Sequence, residues 1–418
     1  MTRNALVAFV EHALFAILVS CSALAPQARA QSTGYAFDAE PEYDVGQQPR
    51  TWLRALLDVR AIRAGSAPSW TDSGPGKTRY GGERTGTGFE RETRLALAQL
   101  ALEVGAALPW NIRAQAQINV QPDLDDGRPW LTEADLRREW GGNENGWSLQ
   151  AGLMNPPFSL ERTGPAWTPE YTISSSELDS WMWEEISLAG VEGEWWHDTR
   201  NGMRLGMLVG AGFGPDHLGR LVAVRGWSTG DVISGLNGEL PLPSGERMEI
   251  FDERDHRPAG YAWLTLGDTD ERATVRLGFF DNFGDEEIAG VWNTHFAVLG
   301  ATVHPRPSIA IVAQYLRGEA RVRYTTNDSS LRAYYALLSH QRGRHRFSIR
   351  YDSFRVNDVD GGSSTREHGE GVTFAWLLQM GLRHRIGVEY VWLDSRRPAG
   401  AVPEPSQDGW QLSYRFRY

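Results

Sequence analysis

Apolar and polar residues alternate along most of the chain beyond residue 50. Ile112, Ala114, Ala116, Ile118 and Val120 share one face of a segment, and Arg113, Gln115, Gln117 and Asn119 share the other. The final segment repeats the pattern, with Trp410, Leu412, Tyr414, Phe416 and Tyr418 set against Gln411, Ser413, Arg415 and Arg417. A period of two is that of a strand with one oily and one wet face. Helical spacing would put Ile112 and Ala114 on opposite sides. Marking every such run predicts sixteen strands, at 52–63, 91–106, 111–121, 131–140, 146–154, 186–196, 203–212, 260–267, 273–281, 293–303, 308–317, 331–341, 345–355, 371–380, 384–393 and 409–418. The alternation is weakest at 131–140 and 186–196.

The connections sharpen this pattern. Short gaps such as Leu108-Pro109-Trp110, Arg342 to Arg344 and Gly381 to Arg383 take turns with long ones, at 64–90, 122–130, 155–185, 213–259, 282–292, 318–330, 356–370 and 394–408. Every long gap exceeds every short one. A soluble sandwich or propeller does not require this strict alternation. An outer-membrane barrel does, because its periplasmic turns are short and its extracellular loops long. The expected fold is therefore all-β: a transmembrane antiparallel β-barrel of about sixteen strands. Closure has a simple cause, since an unpaired N–H or C=O in hydrocarbon costs several kcal/mol and a closed sheet has no edge. Trp130, Trp147, Trp195, Trp196, Trp263, Trp392 and Trp410 fall near strand ends and read as interfacial girdles.

Composition agrees with an exported membrane protein. Arg3, the apolar stretch Ala13–Val19 and the small-x-small site Ala28-Arg29-Ala30 make residues 1–30 a cleaved signal peptide. The segment Leu18-Val19-Ser20-Cys21 offers a rival, a lipoprotein box with Cys21 lipidated. Residues 31–48 read as a periplasmic tail, and 49–418 as the barrel. Cys21 is the only cysteine, so the mature chain has no disulfide and no cysteine-based metal site. The net charge of −11 argues against nucleic acid as a partner. Trp is abundant at 17, and Lys77 is the only lysine, so the remaining basic residues are arginines. No run of about 18 apolar residues follows the signal, so no transmembrane helix is expected.

Two segments carry a resemblance. Tyr414-Arg415-Phe416-Arg417-Tyr418 looks like the C-terminal signal of outer-membrane barrels, an alternating strand ending on an aromatic residue. Gly152-Leu153-Met154-Asn155-Pro156-Pro157-Phe158, followed by Glu161, is similar to the strand exit before the inward-folded loop of porins, with Ser159 where the family often has Gly. The chain thus resembles Gram-negative porins, in particular the phosphate-selective porin O and P group. The resemblance implies a passive diffusion channel for small hydrophilic solutes, a homotrimer, no cofactor, and an outer-membrane setting with lipid and lipopolysaccharide as neighbours. The alternative is a non-conducting barrel whose loops bind or adhere.

In a channel, the wet face meets the solute. The expected pore-lining residues are Arg54, Arg60, Arg113, Gln115, Gln117, Arg137, Arg276, Arg350 and Arg415, with Asp58, Glu133, Arg346, Asp352, Glu389 and Arg417 on the same parity. Arginine predominates in this set, and its guanidinium is a fixed cation with a planar donor fork. A weak anion preference follows, unless acids neutralise the arginines. The loop 155–185 is the candidate constriction, through Glu161, Arg162, Trp167, Tyr171, Glu177 and Asp179; the alternative is a cap over the mouth. Aromatics are expected mainly on the lipid-facing parity, which counts against a sugar track. No catalytic or metal site is expected. Ser339 and His340 are adjacent only in sequence and face opposite sides of their strand. The acidic runs Asp281–Glu287 and Asp358-Val359-Asp360 read as solvated charge rather than a Ca²⁺ site.

Overall fold

β-Branched, aromatic and small residues on one parity and arginine, glutamine and acids on the other build a wall with two chemically different faces. The computed structural model describes residues 51–86, 88–124, 127–323, 328–358, 366–396 and 407–418. The expected signal peptide, Cys21, the 31–48 tail and Val359-Asp360 lie outside these. Sixteen strands among the described residues close into an antiparallel barrel. They are β1 (Thr51–Arg63), β2 (Thr93–Leu108), β3 (Ile112–Val120), β4 (Pro129–Gly141), β5 (Asn145–Met154), β6 (Leu188–Asp198), β7 (Met203–Phe213) and β8 (Ala259–Asp268). The second half comprises β9 (Ala273–Asp281), β10 (Asn293–Arg306), β11 (Ile309–Arg321), β12 (Ser329–Arg342), β13 (His345–Asp358), β14 (Glu367–Met380), β15 (His384–Arg396) and β16 (Gly409–Arg417).

Each strand pairs with its sequence neighbours, and β1 also pairs with β16, so the sheet has no edge. At that seam Asp58 stands opposite Arg415 and Val59 opposite Tyr414. The Ala55 N–H donates to the Tyr418 carbonyl at 3.1 Å, and the Tyr418 N–H donates to the Ala55 carbonyl at 2.9 Å. The weakly alternating segments form β4 and β6 as full members. Several strands outrun the alternation: β11 continues to Arg321 and β14 begins at Glu367, where the wall rises past the apolar belt and needs no oily face.

Leu102, Leu136, Leu149, Val209, Leu264, Phe347 and Leu412 point outward, each 42–51% exposed. In water that surface would forfeit about 25 cal/mol per Å² of apolar area; against lipid it does not. No helix among the described residues is long and apolar enough to cross a membrane; the strands make the crossing. Trp147, Trp392 and Trp410 are exposed at strand ends, as a girdle requires. Trp130 and Trp263 are not part of it. They are 2% and 3% exposed and packed inside, because inserted loops give inward aromatics something to touch. Tyr261, Phe280, Phe296 and Tyr335 also face inward and are buried, contrary to the expectation of outward aromatics.

The short turns span no more than four residues, as at 199–202, and the connections at the other end are long. Two of these carry α-helices that alternation does not announce: helix α1 (Glu177–Glu185) in the connection after β5, and the short helix α2 (Arg220–Val224) in the connection after β7. Ser176 caps α1, its Oγ accepting from the Asp179 N–H at 3.2 Å. All nine residues of α1 are buried, so no polar face reveals it in the sequence.

Candidate functional site: the constricted lumen

The connection 155–187 enters the barrel at once. The Trp263 indole donates to the Pro157 carbonyl at 2.8 Å, and Phe158 is 1% exposed. Its ring meets those of Tyr261, Trp263, Phe280 and Phe296, at centroid distances of 5.9, 5.4, 6.0 and 5.3 Å. From that anchor the loop touches walls on opposite sides. On one side Trp167 donates to Glu133 of β4 at 3.2 Å, and Gln99 of β2 donates to the Ala166 carbonyl at 3.3 Å. On the other, Gln314 of β11 holds Phe158 and Leu160, and Glu389 of β15 accepts from the Ile173 N–H at 2.6 Å. A segment bonded to β2, β4, β11 and β15 at once crosses the lumen. It is therefore not a cap over the mouth.

The predicted wall residues fall into two groups. Arg60, Arg350 and Arg415 are each 1% exposed and ion-paired. Arg60 contacts Asp58 at 2.8 Å and Asp231 at 2.5 Å. Arg350 contacts Asp352 at 2.9 Å and Glu161 at 3.0 Å, and donates to the Ser174 and Ser175 carbonyls. Arg415 reaches Asp58 at 3.1 Å. Arg60 and Arg350 hold loops to the wall, and Arg415 ties β16 to β1 at the seam. Gln117 is also buried, donating to Thr132 Oγ1 at 3.0 Å. The second group is partly accessible. Arg54 pairs with Glu103 at 3.0 Å, and Arg137 with Glu139 at 2.9 Å and Glu194 at 3.3 Å. Gln115 stands opposite Asp135. Arg113 and Arg276 are half-buried and make no ion pair with the described residues.

The predicted loop residues form one cluster within the lumen. Arg162 pairs with Asp179 at 2.8 Å and lies 5.5 Å from the Trp183 ring centre. Trp183 in turn packs at a tilt against Trp167, with ring centres 5.1 Å apart. Tyr171 receives the Arg346 guanidinium on its face at 4.9 Å. Glu161 accepts from the Ser176 N–H at 2.9 Å as well as from Arg350. Burial pushes its carboxyl up to about 7 in spite of Arg350. Glu177 is buried beside Asp352 and Arg350, and burial raises its carboxyl well above the ordinary range.

A second segment is inserted from the connection 214–258, none of whose residues sequence reasoning singled out as part of a site. Leu221, Val222, Trp227 and Val232 are 0% exposed. Asp231 is buried between Arg60 and Arg79, at 2.5 and 2.7 Å; burial opposes its charge, but the two guanidiniums hold it well below the usual carboxylate range. Arg225 pairs with Glu184 of α1, and Glu185 accepts from the N–H groups of Gly219 and Leu221, at the start of α2. One signal was available: the run Leu221-Val222-Ala223-Val224 is too apolar for a solvated loop. Elsewhere in this connection Asp216, Glu253 and Asp255 bring carboxylate oxygens within 4.8 Å of one another. Asp216 already accepts from the Asp255 N–H at 2.8 Å, so the group pins the loop.

No protein-family model matches the chain, and no curated protein matches it in sequence. Its fold does have counterparts. An anion-selective porin from Comamonas acidovorans superposes with a TM-score of 0.54 at 10% identity, over 88% of this chain and 99% of that one. The fold is that of an outer-membrane β-barrel. The outer membrane channel DcaP of Acinetobacter baumannii gives a TM-score of 0.52 at 10% identity, covering 88% of this chain and 97% of its own. A loop-deletion mutant of OmpT, an outer membrane protein of Vibrio cholerae, gives 0.52 at 10%, covering 88% and 100%. As in any outer-membrane barrel, the apolar belt faces lipid and the polar parity faces the interior. Ser339 and His340 obey the same rule, Ser339 buried and His340 exposed.

Proposed function

We propose that this chain is a passive diffusion channel for small hydrophilic solutes in a bacterial outer membrane. One observation carries the reading: a loop anchored at Phe158 crosses a closed, lipid-belted barrel and bonds to opposing walls. Such a loop narrows an aqueous path without sealing the bilayer around it. The channel is a homotrimer in this reading, as the resemblance of the segments 152–161 and 414–418 to porins implies, and it performs no catalysis. Lipopolysaccharide and outer-membrane lipid surround it. The narrower likeness to the phosphate-selective porin O and P group rests on the segments 152–161 and 414–418.

Arg113 and Arg276 are the charges left to act on a passing ion, since Arg60, Arg350 and Arg415 are neutralised by acids. Two unpaired guanidiniums among partly exposed acids give a weak anion preference, strongest at low salt. The packing of 214–258 favours a second reading, a plugged barrel that binds a partner through its loops. Planar-bilayer conductance of refolded protein decides between them. Stepwise openings with a reversal potential in a salt gradient support the channel; a silent membrane at verified incorporation supports the plug.

A further inference from the structure

The outer wall carries a charge pattern that the lumen does not explain. Register places Arg317 opposite Arg332, Arg332 opposite Arg355, Arg355 opposite His368, and His368 opposite Arg396. All five lie on the outward parity of β11 to β15. The next outward row toward the periplasm runs through Tyr315, Tyr334, Ser353, Glu370 and Asp394. Beyond it come Ala313 and Ala336, then Ile311, Leu338, Ile349 and Phe374. The basic stripe thus lies on the extracellular side of the apolar belt, above two tyrosines at its low end, beneath Arg317 and Arg332, and above Ser353, Glu370 and Asp394 at its high end.

The stripe runs obliquely. Counted from the strand ends at the periplasmic turns, Arg317 is eight residues above Ile309, and Arg332 and Arg355 are ten above Arg342 and His345. Arg396 is twelve above His384. It climbs from the edge of the lipid belt toward the rim. Beside its lowest member, a groove of about 620 Å³ opens in the wall of β8 to β11, lined by Ala262, Phe279, Phe283, Ala297 and Arg317, with Asp281, His295 and Glu319 along its upper edge. Small residues make the depression and phenylalanines make it oily. Ala262 and Phe279 stand six residues above Asp268's and Ala273's ends of their strands, lower than Arg317.

Nearby acids are largely engaged. Glu319 binds Arg321, Glu370 accepts from the Tyr351 hydroxyl at 3.0 Å, and Asp394 lies 3.7 Å from Arg396. Arg317 and Arg355 make no ion pair with the described residues through their side chains. A guanidinium at the border of hydrocarbon calls for an anion, and its planar fork suits phosphate oxygens.

We infer that this stripe and groove bind a phosphorylated lipid of the surrounding leaflet, with phosphates on Arg317, Arg332 and Arg355 and an acyl chain in the Phe279–Phe283 groove. The inference rests on the outer-membrane placement and not on conduction, so a non-conducting barrel would leave it standing. The test uses the full-length folded protein in neutral detergent with diphosphoryl lipid A, and native mass spectrometry as the readout. Wild type is expected to retain the lipid. R317Q/R332Q/R355Q is expected to retain about ten-fold less, as one well-formed charge-assisted contact alone is worth about that factor. Dephosphorylated lipid A should bind wild type as weakly as the variant binds the intact lipid. Heat-modifiable migration in gels reports that the variant is folded; if it is not, wild-type retention between 0.15 and 1 M salt replaces it and should fall. Equal retention by a folded variant, salt-independent retention, or displacement by millimolar inorganic phosphate overturns the proposal. So does a change of oligomeric mass with lipid retention intact, which would make the stripe a contact between copies.

Discussion

Arg350 and Arg113 share a parity and a charge, yet they stand in different electrical surroundings. Arg350 is locked between Asp352 and Glu161, while Arg113 has no ion pair among the described residues. Arg350→Gln should therefore cost about 3–5 kcal/mol of stability, because two buried carboxylates lose their cation, and should leave the reversal potential nearly unchanged. The double substitution R113Q/R276Q should do the opposite. Folding should persist, and the permeability ratio should move toward cations at low salt, with the shift shrinking at molar salt as the Debye length falls to about 3 Å. Reversal potentials and thermal melts of both variants check this; a selectivity change in R350Q alone would refute the division. His217 supplies a pH test. It is buried in the connection after β7, and burial pushes its imidazole down to about 4, with Arg220 and Arg254 adding to the shift and Asp252 opposing it. A folded value below the unfolded one, near 6.5, means stability that is complete above about 6.5 and lost as pH falls toward 4. Proteolysis of the loop 214–258 should thus accelerate between pH 7 and 5, and less so in His217→Gln. Parity was legible in the sequence at this scale. Pairing was legible only in part: Asp58 and Asp352 stand two residues from Arg60 and Arg350 on the same face, but the second acid of each lies in a loop, 171 and 189 residues away.

Among the elements, strands could be read and inserted loops could not. A strand's two faces meet two unlike solvents, and the sequence records the difference every second residue. The connections 155–187 and 214–258 meet protein on all sides, so α1 buries Glu177, Asp179, Glu184 and Glu185 with its tryptophans and shows no periodicity. The loop 155–185 was identified as a constriction candidate through its charge and aromatic content, and its path was open until the contacts of Phe158 were known. That residue is the element's anchor. Phe158→Ala should remove four ring contacts at a cost of about 3–5 kcal/mol. The barrel should survive, because its ladder of strand hydrogen bonds is untouched. The loop should loosen, giving larger or noisier single-channel conductance. A folded F158A barrel with wild-type conductance would show that the loop is held elsewhere.

At the scale of the molecule, the runs of alternating polarity gave the strand count, and the alternation of short and long connections gave the expected orientation, before any contact was known. The ends of strands escaped it, since β11 and β14 extend above the lipid, where the outer face is wet and the inner face packs on the loops through Ala320 and Glu367. The closing seam is the feature on which the assembly depends. Deleting Tyr418 removes both backbone bonds to Ala55, and should lower the yield of heat-modifiable barrel in the membrane fraction. Unchanged yield would mean that the side-chain bonds from Ser413 and Arg415 to Asp58 suffice.

The pairing of β1 with β16 also governs how the molecule can come into being. Every other strand pair joins neighbours in sequence, but Asp58 and Arg415 meet across 357 residues. Loop closure over such a span is the slowest kind of contact to make, because chain entropy is lost before any bond rewards it. Until it forms, the sheet keeps two bare edges able to capture strands from other copies. A nascent chain of this design therefore needs an escort that covers those edges while it waits, and its biogenesis is timed by the meeting of its two most distant strands.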